Sequence, residues 1–240
     1  MKLLKFYVAS VLLVLSVNSS YSQSTTDFTT PQEVIQKAIE VMGGKEYLES
    51  ISTLYTDSKT ILQGHDVNYV IKEMAPNKGS FEIVYNQHIM FGSYFNGKTG
   101  YQVSGSKKSK ESADVYKDKK YKKHIFNELD YLNPELWKLQ LIGQEAVNGD
   151  ACYKIKAVLA SGTTEILYYS KKMGLLLKDE KLVSQEERRY NAAMFSEFKQ
   201  FGKLFYHSVE TFINDGVPQQ MKIEKLLVNE NVSESDFEIQ

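Results

Sequence analysis

Cysteine is almost absent from this sequence, because Cys152 is the only one among 240 residues. No intrachain disulfide can therefore form, and the folded domain must be held together by its core alone. Cys152 lies in a strand-like stretch beside Tyr153 and Ile155. This setting favours a small buried apolar group over a reactive thiol.

Sequence signatures of catalysis are also missing. The chain contains no G-x-S-x-G, Walker, H-E-x-x-H or C-x-x-C motif, the patterns that commonly mark nucleophiles, phosphate loops and metal ligands. The four histidines are scattered, and His207 and Glu210 stand three apart, a spacing that would place them on opposite faces of a strand. The sequence thus predicts no metal, no cofactor and no catalytic residue. An enzyme whose site is assembled from distant residues stays an alternative.

Long apolar runs are scarce as well, and the longest one covers residues 7–17. It is too short to span a bilayer as a helix, which takes about 20 residues. Lys2 and Lys5 precede it, and a small-residue stretch ending at Ser22 follows it. This pattern predicts a cleavable signal peptide over residues 1–22 and a periplasmic protein. No cysteine stands at the cleavage point, which argues against a lipid anchor.

The sequence has no large excess of positive or negative charge. The formal charge is −1, and it becomes −3 when the two lysines of the leader are removed. We therefore expect no nucleic-acid partner. Eight lysines cluster in residues 107–123, which indicates either a solvated helix face or a surface for anionic lipid head groups. The second interpretation would allow transient contact with envelope membranes or membrane proteins.

The pattern that is present begins with one helix. Thr30 and Glu33 form a capping box with Pro31 at the first helical position, so a helix is predicted over residues 31–42. Apolar residues recur at helical spacing up to Gly43 and Gly44, which end the helix.

After Ile51 the apolar period changes towards two, in short runs separated by turn residues. This predicts a single domain over residues 23–240, built mainly from about ten or eleven antiparallel strands. Residues 105–139 are interpreted as an insertion with two short helices, broken near Asn133 and Pro134.

Several segments carry a resemblance to a known family. They are the helix ending in Gly43-Gly44, the stretch from Gly143 to Gly149 leading to Cys152-Tyr153, and the hairpin at residues 215–218. In this order the chain resembles the LolA/LolB-like outer-membrane lipoprotein carriers, in the divergent form common in Bacteroidetes. The resemblance covers nearly the whole mature chain.

The resemblance implies a mainly β (α+β) fold. Its core is a single strongly curved antiparallel sheet, a half-barrel of about eleven strands. An N-terminal helix and the helical insertion would cover the concave face and enclose an apolar cavity. The implied function is that of a monomeric, non-enzymatic periplasmic carrier for lipid or lipoprotein acyl chains. A structural or partner-binding envelope protein without a lipid ligand is the alternative.

Candidate cavity walls come from the helix stripe and from the apolar strand faces. Helix positions four apart share one face, and alternating strand positions share another. Trp137 is included as the largest apolar side chain of the insertion. Ordinary core packing is the competing interpretation for every candidate. The candidates are Ile35, Ile39, Leu54, Tyr69, Phe81, Ile83, Phe91 and Trp137.

Overall fold

A computed structural model describes residues 27–184, 189–214 and 216–238. The predicted signal peptide, residues 1–22, lies outside this part of the chain. Among the described residues, no helix has both the length and the apolar character needed to cross a membrane.

Helices are few and short in the described residues. They are α1 (Pro31–Met42), α2 (Lys45–Glu49) and α3 (Asn127–Tyr131), with 3₁₀ turns at Ala113–Tyr116, Lys119–Tyr121 and Glu234–Phe237. Strands make up most of the structure. They are β1 (Thr53–Leu62), β2 (His65–Met74), β3 (Lys78–Tyr85), β4 (His88–Phe95), β5 (Gly100–Ser104), β6 (Lys107–Lys110), β7 (Trp137–Val147), β8 (Asp150–Leu159), β9 (Thr164–Ser170), β10 (Leu176–Ser184), β11 (Arg189–Ser196), β12 (Lys199–Phe201), β13 (Leu204–Tyr206), β14 (Val209–Asn214) and β15 (Val217–Val228).

Thirteen of these strands form one curved, open antiparallel sheet, in the order β6-β5-β4-β3-β2-β1-β15-β14-β11-β10-β9-β8-β7. The predicted fold class is confirmed, with thirteen strands in place of about eleven. Most neighbours are consecutive hairpins, and the pairing of β1 with β15 joins the two ends of the domain. Strands β6 and β7 are the two edges. The segment between them, residues 111–136, therefore connects one edge of the open sheet to the other.

Helix α1 forms as predicted, with the predicted bounds. The Thr30 hydroxyl accepts from the Glu33 amide at 3.3 Å, and the Glu33 carboxylate accepts from the Thr30 amide at 2.9 Å. The helix ends at Gly43, whose φ of 143° and whose closeness to the Tyr47 ring exclude a side chain. Its apolar stripe is buried against α3, β7 and β13.

The insertion differs from its prediction. The start of the insertion, residues 105–111, is expected from its polar, lysine-rich sequence to be a loop, but strand β6 occupies part of it. Strand β7 begins at Trp137, so the predicted second helix extending to Leu139 is wrong. The amides of Leu136 and Trp137 both donate to the Asn133 carbonyl, which closes a turn. From Trp137 onward, apolar and polar residues alternate, and Trp137 pairs with Leu159 on β8. In this segment the alternation of apolar and polar residues, which is typical of a strand, was a better guide to the structure than the helix-forming composition.

Candidate functional site

The strand register defines an inner face of the sheet, the face that carries Leu54 and belongs to the same core as α1. Residues paired directly across antiparallel strands project to the same face. Ser58 is four residues from Leu54 on β1 and therefore shares its face. Ser58 pairs with Tyr69, Tyr69 with Ile83, and Ile83 with Phe91, so all of these are inner-face residues. Phe81 is two residues from Ile83 on β3 and lies on the same face.

Four of the predicted wall residues lie together on this inner face. We call them, with their neighbours, the aromatic strip; its members are Leu62, Val67, Tyr69, Phe81, Ile83, Tyr85, Phe91, Phe212 and Met221. The Tyr69 and Phe81 rings meet edge to face with centroids 5.1 Å apart, and Phe81 and Phe91 lie 6.3 Å apart. Every member is on a strand, and Phe81, Ile83 and Phe91 are only half-buried. The strip is therefore an apolar surface built by strands alone, in which Val67, Tyr69 and Met221 are buried and the β3 and β4 residues are partly open.

The other four predicted wall residues lie outside the aromatic strip. Ile35, Ile39, Leu54 and Trp137 belong to the main core, packed among the helices and the sheet. Trp137 meets Tyr131 edge to face at 4.8 Å. The structure thus separates the eight candidates into four in the main core and four on the strip, of which Tyr69 is buried and the other three are half-buried.

A second feature of the inner face is a cavity of about 230 Å³ beneath α3, which we call the acidic cavity. Its lining mixes aromatic rings with charged groups. The lining residues are Met42, Glu73, Lys122, Ile125, Phe126, Asn127, Glu128, Tyr131, Leu175, Leu176, Asp179, Phe195, Phe198, Phe205, Tyr206 and His207. None of the eight predicted wall residues is among them.

The carboxyl groups of this cavity come from different elements. Glu73 is on β2, Glu128 on α3 and Asp179 on β10, and Glu210 on β14, outside the lining itself, has a carboxylate oxygen 3.9 Å from the His207 ring. Glu73 pairs with the ammonium of Lys122 at 2.7 Å. Glu128 accepts a hydrogen bond from the Tyr169 hydroxyl at 3.4 Å.

Burial disfavours the charged forms of these acids. Burial and the nearby Glu165 charge raise the pKa of Asp179 to about 7. Burial, together with the charges of Asp179 and Glu73, raises the pKa of Glu210 to about 8. The pKa of Glu128 is also raised by burial. Near neutral pH the site therefore holds protons on groups that elsewhere would be ionised.

His207 is the least satisfied polar group of the cavity. Its exposed fraction is 6%, and no described residue makes a hydrogen bond with its ring. A carboxylate oxygen of Glu210 lies 3.9 Å from Nε2 of His207, which is too far for a hydrogen bond. Burial lowers the pKa of His207 to about 3, so the ring is neutral. The prediction that His207 and Glu210 lie on opposite faces was wrong, because residue 207 stands between β13 and β14.

The sequence reasoning missed these polar residues, although one signal was available. Glu73 follows Tyr69 and Ile71 in the same alternating phase of β2, and Glu210 precedes Phe212 in the same phase of β14. Alternation alone would have placed both acids inside. They were overlooked because acidic residues usually end an apolar pattern.

The acids surround the cavity without converging on one point. Within the described residues, no three His, Cys, Asp or Glu side chains lie close enough together to hold a metal ion. Cys152 is fully buried, and burial with the nearby Asp150 charge raises its pKa to about 11. Its predicted burial is confirmed.

Comparisons with known proteins connect this architecture to one class of fold. No protein-family model matches the chain, and no curated protein matches its sequence. Among solved structures, a domain provisionally assigned to outer-membrane lipoprotein sorting, from Vibrio parahaemolyticus, is 14% identical, with a TM-score of 0.56. The match covers 85% of this chain and 97% of that one.

A LolA superfamily protein from Nitrosomonas europaea is similar at 10% identity and a TM-score of 0.57, over 88% of this chain and 99% of that one. The open antiparallel sheet with helices on its inner face is thus the LolA-like fold. The resemblance predicted from the sequence is confirmed at this level.

Proposed function

We propose that this protein is a non-enzymatic periplasmic carrier that holds lipid or lipoprotein acyl chains on the aromatic strip. The observation that supports it best is an apolar strip built by strands alone, in which Phe81, Ile83 and Phe91 are half-buried. An acyl chain lying there would gain about 0.8 kcal/mol for each methylene removed from water. The N-terminal pattern of residues 1–22 supports the location, and the LolA-like fold supports the class of ligand.

Native mass spectrometry of mature protein purified gently from its host tests the proposal. We expect co-purified lipid that is released under collisional activation. Lipid-free protein in a stable complex with another protein would instead favour the structural or partner-binding alternative.

A titration with a dansylated fatty acid locates the contact. Phe81→Ser should weaken binding by roughly tenfold or more, since it removes a large apolar surface at the centre of the strip. Ile61→Ser is the matched control, because Ile61 is 68% exposed on β1 and belongs to the opposite alternating phase. Equal binding by both variants, with circular dichroism showing that both are folded, would rule out the strip as the acyl site.

Ile35, Ile39, Leu54 and Trp137, the four candidates in the main core, remain proposed wall residues. The fluorescence of Trp137 can test whether a ligand reaches this part of the structure. If Trp137 lines a lipid-accessible mouth, its fluorescence spectrum should shift when a fatty acid or detergent is added. A spectrum unchanged at saturating ligand would remove Trp137 from the site.

A further inference from the structure

We infer that the acidic cavity binds the cationic amine head group of an amphiphile whose chain lies on the aromatic strip. This inference rests on the proposed carrier function, and it adds the chemical class of the ligand's polar end.

The first support is that the two surfaces adjoin. Glu210 pairs across the sheet with Met221, a member of the aromatic strip, and Phe212 of the strip follows Glu210 on the same face of β14. On β2, Glu73 stands four residues from Tyr69 on the same inner face. One molecule with a compact polar end and a flexible chain can therefore contact both surfaces.

The second support is the charge of the cavity. Its only lysine, Lys122, is already engaged by Glu73. Glu128, Asp179 and Glu210 form no ion pair with any lysine or arginine side chain that the structure describes. The ionised form of a buried carboxyl group is unfavourable without a counter-ion, and a bound cation would supply one.

The third support is independent of the acids. His207 is more than nine-tenths buried, lines the cavity and has no hydrogen-bond partner among the described residues. Its ring nitrogens are not among the fully enclosed side-chain atoms without a partner in the described residues, so they remain accessible to a ligand. The neutral ring has one nitrogen that can accept a hydrogen bond, and an ammonium group has several hydrogens to donate.

The shape of the site separates an amine from other ligands. A metal ion needs ligands that converge, and the described acids do not. An anionic head group would oppose ionisation of these acids as pH rises and would be repelled once they are charged, whereas a cation would favour their ionisation. An alkylammonium can instead lie against the rings of Tyr206 and Phe195, which pack on His207 at centroid distances of 4.0 and 4.7 Å, and gain cation–π attraction there.

Binding should then be linked to pH. A cation favours the ionised carboxylates, so it should displace the protons that Asp179 and Glu210 retain near neutral pH, and its affinity should rise between pH 6 and 8.5. The titratable groups around the site that set this response are Glu73, Lys122, Glu128, Tyr131, Glu165, Tyr169, Asp179, Lys181, Tyr206, His207 and Glu210.

The test is isothermal titration calorimetry of the mature protein with three probes of equal chain length: decylamine, decanoate and decyl maltoside, each below its micelle concentration. We expect decylamine to bind about tenfold or more tightly than the other two, as a hydrogen bond to a charged group would give. Titration at pH 7 in two buffers of different ionisation enthalpy should show proton release on binding of decylamine alone.

The double variant Asp179→Asn with Glu210→Gln should lose the preference for the amine and keep the binding of decyl maltoside. Glu224→Gln, an exposed acid on β15, is the control. Equal affinities for the three probes, or an amine preference that survives in the double variant, would overturn the inference. If no probe binds at all, the carrier proposal itself fails. If the double variant does not fold, the test rests on the proton release measured with the unaltered protein. Absence of proton release on binding of decylamine would then refute the inference.

Discussion

The pH dependence of stability gives the sharpest test of the buried acids, and Asp179→Asn is the perturbation. The pKa of Asp179 is raised from 3.8 to about 7 in the folded protein, so above pH 4 the folded state holds a proton that the unfolded state has lost. Stability from this group is therefore fully present below pH 4 and is lost as pH rises through 7. The asparagine side chain cannot ionise, and its oxygen can still accept from the Ala193 amide, at 3.3 Å in the structure.

The magnitude follows from the two pKa values. At about 1.4 kcal/mol per pKa unit, the free energy of unfolding of the unaltered protein should fall by about 1.4 kcal/mol between pH 6 and pH 8 through Asp179 alone. His207 affects stability at the lower end of this window, but it does so in both proteins and therefore cancels in the difference between Asp179→Asn and the unaltered protein. That ring is neutral when folded, so its contribution is present above about pH 6.5 and is lost only as pH falls below it.

The assay is urea unfolding at several pH values, followed by circular dichroism. The free energy of unfolding of Asp179→Asn, measured relative to that of the unaltered protein, should rise by about 1.4 kcal/mol from pH 6 to pH 8. Asp66→Asn, at an exposed position on β2 that pairs with Lys59 at 3.3 Å, should give a constant difference. Parallel pH profiles for Asp179→Asn and the unaltered protein would refute the assignment of a buried, protonated acid.

Three further changes test other parts of the fold. Ile35→Ala removes a side chain with no exposed surface and should lower the free energy of unfolding by about 2–5 kcal/mol in urea. Phe237→Ala, at a ring with 1% exposure near the C-terminus, should lower it by about 3–5 kcal/mol and raise proteolysis of the tail. Lys107→Glu with Lys108→Glu, on the exposed edge strand β6, should reduce sedimentation with anionic vesicles and leave neutral vesicles unaffected. An unchanged urea midpoint would contradict either of the first two predictions, and unchanged sedimentation with anionic vesicles would contradict the third.

The elements that local sequence determines were predictable, and α1 is the clearest case. Its start is set by a hydrogen-bonding exchange between Thr30 and Glu33, and its end by Gly43, all within a few residues. The hairpins are local in the same sense, since turn residues fix each one. The pairing of β1 with β15 is different, because it joins opposite ends of the domain and no local pattern encodes it.

The insertion was misread for a physical reason. Its lysines have good helix propensity, but propensity is a weak guide where tertiary pairing is available. The Lys107–Lys110 segment gains a strand partner in β5, and Trp137 gains one in β8. Both pairings depend on the sheet edges being nearby, which the segment itself does not specify.

The candidate site was half predictable for a related reason. The aromatic strip follows from alternation along β2, β3 and β4, whereas the acidic cavity needs residues from five separate parts of the chain. Its cover is α3, which the segment between the two sheet edges positions. Asp130 anchors this segment by accepting from the Lys123 amide at 2.9 Å and bonding the His124 ring at 2.7 Å. Lys122, held by Glu73, fixes the same turn to β2.

This arrangement explains why acids can be retained inside an otherwise apolar fold. The sheet alone would leave Glu73, Asp179 and Glu210 facing an open concave surface, where water could solvate them. Placing α3 above them removes water, and burial is the main cause of the raised pKa values of Asp179 and Glu210; the charge of Glu128 adds to the effect on Asp179. The segment between β6 and β7 therefore determines the electrostatics of the cavity, whereas the strands determine the apolar surface next to it. Changes in that segment should alter head-group preference while leaving chain binding intact.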